Sequence, residues 1–124
     1  MADKKIKILL AEDDSFIQKA YKDGFERKNF DVLVAGDGEV AINLMKSNKP
    51  DIVLLDLIMP KKNGFDVLKE MKSDEDLKNI PVIVLSNLGQ DSDVDKCKTM
   101  GAVDYLIKSD YSIPEILEKI KEHI

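Results

Sequence analysis

The chain alternates short apolar runs with longer segments in which apolar residues recur every three or four positions. Runs of four or five aliphatic residues are typical of strands buried on both faces, whereas the longer spacing is typical of amphipathic helices. The pattern predicts five strands, each followed by a helix. The strands are residues 5–11, 31–35, 52–55, 82–85 and 103–107.

The five predicted helices are placed by their apolar spacing, and several have recognisable ends. The first is expected to end near Lys28, and Gly101 is placed as the C-terminal stop of the fourth. The last is expected to begin at a capping box formed by Ser112 and Glu115. Residues 36–38 are predicted to form a turn and residues 73–79 a polar loop. The apolar positions are Phe16, Ile17, Ala20, Tyr21, Gly24 and Phe25, then Val40, Ala41, Leu44 and Met45, then Phe65, Leu68 and Met71, then Val94, Cys97 and Met100, and finally Ile116, Leu117 and Ile120.

A strict alternation of strands and helices predicts an α/β fold with one parallel sheet and helices on both faces. The common five-stranded form is the flavodoxin-like, three-layer (βα)5 arrangement with strand order 2-1-3-4-5. Its strand order reverses between strands one and three, and ligands of such folds bind at the carboxyl ends of the strands near that point. At 124 residues, the chain has the length of one domain.

Polar side chains follow four of the five predicted strands, at the point where each strand ends. Asp56 follows the central strand, which is buried on both faces, and Glu12 and Asp13 follow the first strand. Ser86 and Lys108 follow the fourth and fifth strands. Because the carboxyl ends of parallel strands meet at one edge of a sheet, we expect these residues to surround a single crevice.

This combination of residues favours phosphoryl-transfer chemistry. Carboxylates of Glu12, Asp13 and Asp56 would repel one another unless a cation neutralised them, and hard oxygen ligands without His or Cys favour Mg²⁺. An ammonium from Lys108 and a hydroxyl from Ser86 would stabilise charge on a transferring phosphoryl group. Asp56 would then act as the nucleophile and become an aspartyl phosphate.

Each of these residues also has a purely structural interpretation when taken alone. Asp13 or Asp14 would cap the first helix, Ser86 would be a loop hydroxyl, and Lys108 a solvated charge. The Tyr105 ring would pack against its strand neighbours. His123 is expected to be an exposed residue near the chain end. The coincidence of acids, hydroxyl and ammonium at successive strand ends favours the functional interpretation.

Composition and net charge make some classes of binding partner and some cellular locations less favoured than others. The formal net charge of −5 argues against a general nucleic-acid or anionic-membrane surface, because phosphates would be repelled. Cys97 is the only cysteine, so no internal disulfide forms, and its helical spacing predicts a buried thiol. The amino terminus has too short an apolar run for a signal peptide, and no run reaches membrane-spanning length. The expected location is the cytoplasm.

Four motifs in this order resemble the receiver domain of bacterial two-component response regulators, in particular the single-domain, chemotaxis-regulator-like kind. They are ILLAEDD at 8–14, PDIVLLDLIMP at 50–60 with Gly64 after it, PVIVLS at 81–86 and GAVDYLIK at 101–108. The resemblance covers essentially the whole chain. It implies one receiver domain over residues 1–124 with no output domain present. As a whole protein, the chain would act through protein contacts; as a fragment, its missing part could bind DNA or carry an enzyme.

The resemblance implies a role for each site residue. Asp56 would accept a phosphoryl group from a histidine kinase or phosphotransfer protein, and the domain would catalyse only its own phosphorylation and dephosphorylation. Asp13 would bind Mg²⁺ directly and Glu12 through water, with the Ile58 backbone carbonyl as a further ligand. Lys108 would pair with the acyl phosphate. Ser86 and Tyr105 would form the switch pair, which changes the surface of helix four, strand five and helix five for a downstream protein.

The chain departs from the usual receiver pattern at four positions near the site. Ser109 stands where the family usually has a proline, often after a cis peptide, and Asn87 replaces a small residue. Ile58 and Leu88 are apolar at positions that often tune phosphoryl lifetime. We predict that these two side chains exclude attacking water and slow dephosphorylation.

Three other functions compete with this interpretation. A haloacid-dehalogenase-type phosphatase would carry a second Asp where Ile58 stands, and a cap domain. A flavodoxin would need a hydroxyl- and glycine-rich phosphate loop in place of the acids after strand one. A pseudo-receiver would bind partners without phosphorylation, which the presence of Asp56 and Lys108 disfavours. The protein is expected to be a monomer or a weak, phosphorylation-dependent dimer.

Overall fold

A computed structural model describes residues 5–124 and confirms the predicted alternation of strands and helices. A short 3₁₀ turn at Lys108–Asp110, which the sequence pattern did not indicate, follows the last strand. The strands are β1 (Lys7–Ala11), β2 (Asp31–Ala35), β3 (Ile52–Leu55), β4 (Val82–Ser86) and β5 (Asp104–Ile107). The helices are α1 (Ser15–Arg27), α2 (Gly38–Asn48), α3 (Gly64–Ser73), α4 (Asp91–Thr99) and α5 (Ile113–Glu122).

The five strands form one parallel sheet in the order β2-β1-β3-β4-β5, which confirms the flavodoxin-like topology. Ala11 pairs with Leu55, so β1 and β3 end side by side at the point where the strand order reverses. The Asp56 N–H donates to the Ala11 carbonyl at 3.0 Å and extends this ladder by one residue. The pairing therefore brings the acids after β1 next to the acid after β3.

Helices pack on both faces of the sheet and create two apolar cores. Side chains alternate between the faces along each strand, so neighbouring residues of β3 belong to different cores. One core contains α2 and α3 residues such as Met45 and Leu68, together with the buried Cys97 of α4. The other contains Phe25 of α1 and Ile116 and Ile120 of α5. All four β3 side chains are fully buried, as the continuous apolar run predicts.

Several local predictions need adjustment. The predicted loop at 73–79 is confirmed from Asp74 onward, since α3 ends at Ser73, but its Leu77 is fully buried and anchors the segment to the core. The predicted turn at 36–38 already contains the start of α2, because the Asp37 side chain caps that helix and Gly38 is its first residue. The first strand begins at Lys7 rather than Lys5, and the fifth at Asp104 rather than Val103, although the Val103 N–H still donates to Val82.

His123 is not the free surface residue that the sequence suggested. Its Nε2 atom lies 3.2 Å from Asp104 Oδ2, so the end of the chain is held against the start of β5. Phe16 differs in the opposite sense: its spacing predicts a place on the apolar face of α1, but its side chain is 83% exposed. The capping box of α5 is confirmed, since the Ser112 side chain and Glu115 each accept a hydrogen bond from the other's backbone.

Within residues 5–124, the longest apolar helical stretch falls short of what a membrane crossing needs. Residues 1–4, on which part of the signal-peptide prediction depends, lie outside the described range.

Candidate functional site

The predicted site residues meet at the carboxyl edge of the sheet. All of them except Tyr105 line one cavity of about 300 Å³, which lies at the ends of β1, β3, β4 and β5. Asn87 and Leu88 from the β4–α4 loop and Ile17 from α1 complete the wall. The other lining residues are Glu12, Asp13, Asp14, Asp56, Ile58, Ser86 and Lys108.

Three carboxylates converge in this cavity. One oxygen each of Glu12, Asp13 and Asp56 can be chosen so that all three atoms lie within 4.8 Å of one another. Glu12 and Asp56 are buried, whereas Asp13 is exposed at the mouth. A close set of oxygen donors with one side open to water suits a hard divalent cation such as Mg²⁺, which keeps several of its waters. The residues present therefore fit the predicted metal.

Lys108 supplies a positive charge to two of these acids. Its Nζ atom lies 2.8 Å from Asp56 Oδ2 and also donates a hydrogen bond to Glu12 Oε1. The three side chains are 10%, 9% and 3% exposed, respectively, so water screens the pairs weakly. The ammonium thus bridges the acids that follow β1 and β3.

The pKa values of Glu12 and Lys108 both depend on burial and on the contacts that these groups make with charged partners. Burial raises the pKa of Glu12, and this outweighs the lowering by its hydrogen bonds to Lys108 and to the Asp14 N–H. For Lys108, burial is the largest single effect and disfavours the ammonium, but the hydrogen bonds to Asp56 and Glu12 and the charges of these acids together outweigh it, so the pKa is raised. Lys108 therefore stays charged at neutral pH, whereas charged Glu12 depends on that partner.

The backbone around Asp56 is held on both sides. The Ile58 N–H donates to Asp56 Oδ1 at 3.3 Å, and the Gly64 N–H donates to the Leu57 carbonyl at 2.9 Å. A Cβ atom on Gly64 would lie 2.3 Å from the Asp56 carbonyl oxygen, far inside contact distance. Only glycine lets α3 begin this close to the residue after β3. Ile58 itself lines the cavity, and its part as a backbone metal ligand stays a prediction.

Ser86 and Tyr105 are joined through Leu88. The Leu88 N–H donates to Ser86 Oγ at 3.3 Å, and the Tyr105 hydroxyl donates to the Leu88 carbonyl. Ser86 is buried in the cavity wall and Tyr105 is partly buried against the core. Burial raises the pKa of Tyr105 to about 12, so the phenol keeps its proton and acts as a donor. Their role as a switch pair stays a prediction.

The two aspartates after Glu12 have separate positions. Asp14 caps α1, because its Oδ1 atom accepts hydrogen bonds from the N–H groups of Phe16 and Ile17 at 2.9 and 3.0 Å. Asp13 makes no such cap and stays with the carboxylate cluster.

Sequence reasoning missed Ile17 as a cavity residue and Gln18 as a hydrogen-bond donor to the Glu12 carbonyl. Helical spacing alone carries no signal for either contact.

The profile of the family described as the response regulator receiver domain matches residues 8–121. The chain belongs to this family. Receiver domains of two-component response regulators are signalling proteins. The site described above is consistent with a switch between a phosphorylated and an unphosphorylated form. Family membership decides against the dehalogenase-type phosphatase and the flavodoxin.

Individual relatives extend this assignment. The receiver domain of the Francisella response regulator 1452 is 33% identical, with 95% of each chain covered and a TM-score of 0.88. The polar-differentiation response regulator DivK of Brucella anthropi is 27% identical over 117 residues, which are 94% of both chains. The probable transcriptional regulator ycf27 of Guillardia theta is 35% identical over 117 residues. The chain spans 44% of that regulator's length.

Proposed function

We propose that the protein is a phosphorylation-dependent switch in which Asp56 accepts a phosphoryl group from a histidine kinase or phosphotransfer protein. The observation that carries the proposal is the Asp56 carboxylate itself, which lies in a cavity beside two further acids and is paired with Lys108. An Asp56 oxygen would attack phosphorus, the phosphorus–nitrogen bond of the donor histidine would break, and that nitrogen would keep the electron pair. The proposed setting is the cytoplasm.

The residues around Asp56 divide the work of this reaction. Glu12, Asp13 and Asp56 would hold Mg²⁺, with the Ile58 carbonyl as a further ligand. The bound ion supplies positive charge for the phosphoryl oxygens. Lys108 would leave Asp56 Oδ2 to pair with a phosphoryl oxygen, and the Ser86 hydroxyl would donate to another. Both groups already lie in the cavity wall, so each has only a short distance to move.

The proposed readout surface consists of α4, β5 and α5. The loop that carries Leu88 connects the site to α4, and the Tyr105 hydrogen bond ties the same loop to β5. Helix α4 is held lightly, since Cys97 is its one fully buried residue and its N-cap residue, Gln90, makes no side-chain capping bond. Movement of Ser86 toward a phosphoryl group would therefore shift the loop and this helix, and change the surface offered to a downstream protein.

Intact mass measurement tests the proposal. The wild-type protein is incubated with a small phosphodonor such as acetyl phosphate, with Mg²⁺ or with a chelator. We expect the mass gain of one phosphoryl group in the presence of Mg²⁺ and almost none with the chelator, and we expect peptide mapping to place it at Asp56. A folded, Mg²⁺-supplied protein that stays unlabelled by a competent donor would instead favour a pseudo-receiver.

Substitution of Ile58 by asparagine is expected to shorten the lifetime of the phosphorylated form. The Ile58 side chain lines the cavity and is 61% exposed, so it stands where water enters. An amide at this position can hydrogen-bond and orient a water molecule for attack on phosphorus, which we expect to raise the rate by about 10-fold. The decay of the phosphorylated mass after the phosphodonor has been removed, with Mg²⁺ kept in the buffer, measures this rate.

Val103→Asn provides the matched control for Ile58→Asn. Val103 is also an exposed aliphatic residue, at 42%, but it precedes β5 at the opposite end of the sheet. We expect its phosphorylated form to decay at the wild-type rate. Equal decay of Ile58→Asn and wild type would show that Ile58 does not exclude the attacking water.

A further inference from the structure

Gln18 connects α1 to the acidic segment that follows β1. Its side-chain Nε2 atom donates a hydrogen bond to the main-chain carbonyl of Glu12. We infer that Gln18 is a positioning residue, which holds the backbone of Glu12 and Asp13 so that both carboxylates face the cavity. The inference rests on the proposed function, since it assigns Gln18 a part in forming the cation site of that function.

The hydrogen bond from Gln18 acts on the peptide group that joins Glu12 to Asp13. The Glu12 N–H already donates to the Ala35 carbonyl at 2.9 Å, and Glu12 Oε2 accepts from the Asp14 N–H at 3.1 Å. These bonds fix the residue on its amino side and through its side chain. The hydrogen bond from Gln18 to the Glu12 carbonyl adds the missing restraint on the carboxyl side. Without it, rotation of the peptide plane between Glu12 and Asp13 would turn Asp13.

Asp13 depends on this restraint more than the other two acids do. Glu12 and Asp56 are buried and share hydrogen bonds with Lys108, whereas Asp13 is exposed. The direction of the Asp13 carboxylate is therefore set by its backbone, which lies between the Gln18 contact and the Asp14 cap. Loss of the contact would let the segment rotate and would move one of three cation-binding oxygens.

The position and chemistry of Gln18 suit this role. The residue lies in the second turn of α1, and its amide lies close to the β2–α2 turn, where a Cβ atom on Gly36 would come within 3.6 Å of Nε2. A neutral donor satisfies the Glu12 carbonyl without competing for the cation, as an ammonium would, and without adding a fourth carboxylate. Groups that orient metal ligands in this way typically change metal affinity by about 10- to 100-fold when they are lost.

The test compares Gln18→Met, which has the same length but no donor, with Lys22→Met on the next turn of α1. The Lys22 side chain is partly exposed and pairs only with Glu26 among the groups within 4.0 Å in residues 5–124. Calorimetric titration with Mg²⁺ alone measures affinity. We expect the Mg²⁺ dissociation constant to rise about 10-fold in Gln18→Met and to stay at the wild-type value in Lys22→Met. Gln18→Asn, with a shorter amide, is expected to fall between wild type and Gln18→Met.

Two further measurements separate positioning from simple stabilisation of the helix. Phosphorylation by acetyl phosphate at saturating Mg²⁺ should return to within about twofold of wild type, because excess cation compensates weaker binding. Amide hydrogen exchange of metal-free protein should become faster at Asp14 in Gln18→Met, because rotation of the segment would break the bond from the Asp14 N–H to Glu12 Oε2. Lower unfolding free energy with unchanged Mg²⁺ affinity would overturn the role of Gln18 alone. Absence of Mg²⁺ binding or phosphorylation in the wild type would overturn the proposed function as well.

Discussion

Asp56→Asn is expected to abolish phosphorylation while leaving the fold intact. With acetyl phosphate and Mg²⁺, the labelled fraction should fall by at least about 100-fold, because an amide oxygen carries no charge with which to attack phosphorus. Asparagine has the same shape as aspartate. Its Oδ1 atom can still accept from the Ile58 N–H, and Lys108 keeps its partner Glu12. Loss of labelling would therefore report chemistry rather than unfolding.

Asp51→Asn is the matched control for Asp56→Asn. Asp51 and Asp56 flank the same strand, β3, one before it and one after it, and the substitution is chemically identical. Asp51 is exposed at the opposite edge of the sheet, where its Oδ2 atom accepts from the Lys7 N–H at 2.8 Å. We expect normal labelling of this variant. Wild-type labelling of Asp56→Asn, or equal loss in both variants, would contradict the assignment of Asp56 as the acceptor.

The sequence predicted the sheet well because its strands are parallel and the three central ones, β1, β3 and β4, are almost wholly buried on both faces. A residue such as Leu54 meets a helix layer on either side of the sheet, so the strand reads as a continuous apolar run. The same geometry explains why the site was predictable. A charged residue would be costly inside such a strand, so Asp56 marks the end of β3, and the hydroxyl of Ser86 stands at the last residue of β4; the strand order brings these two carboxyl ends together.

Contacts that depend on how elements pack were beyond the reach of the sequence pattern. Phe16 has helical spacing, but the first turn of α1 extends past the edge of the core and leaves the ring exposed. Leu77 stands alone among polar residues, so no period predicts its burial. The Gln18 contact joins a helix side chain to a main-chain carbonyl six residues earlier, and any polar surface residue would give the same sequence signal.

The bridge made by Lys108 shows how the site and the stability of the fold are coupled. Glu12 and Asp56 are buried acids at neighbouring strand ends, and one ammonium contacts both. Removal of one partner from a buried ion pair leaves an uncompensated charge, which is far more costly than the net value of the pair itself. The groups proposed to perform phosphoryl transfer therefore also affect the stability of the unphosphorylated domain, because they include its buried acids and the ammonium that neutralises them.

Lys108→Met is accordingly expected to lower the free energy of unfolding at pH 7 by about 3 kcal/mol in the absence of divalent cations. Methionine retains most of the aliphatic stem but not the charge, so packing is largely kept. Lys119→Met is the control: its 3.6 Å pair with Glu122 joins side chains that are 35% and 59% exposed, so water screens it, and its loss should change the unfolding free energy by less than about 0.5 kcal/mol. Urea denaturation of both variants and the wild type gives these values.

The pH dependence of Lys108→Met distinguishes charge from packing. Burial already raises the pKa of Glu12 in the wild type, and loss of the ammonium removes the main influence that lowers it. The folded variant should then bind protons more readily than its unfolded chain as the pH falls below neutrality toward 4.5, and a state that binds more protons is stabilised by acid. The difference in unfolding free energy between Lys108→Met and the wild type is therefore expected to shrink over that range. A difference in unfolding free energy that stayed constant with pH would mean that Lys108 stabilises the fold through the packing of its stem. It would also mean that the two buried carboxylates do not destabilise the fold when the ammonium is absent.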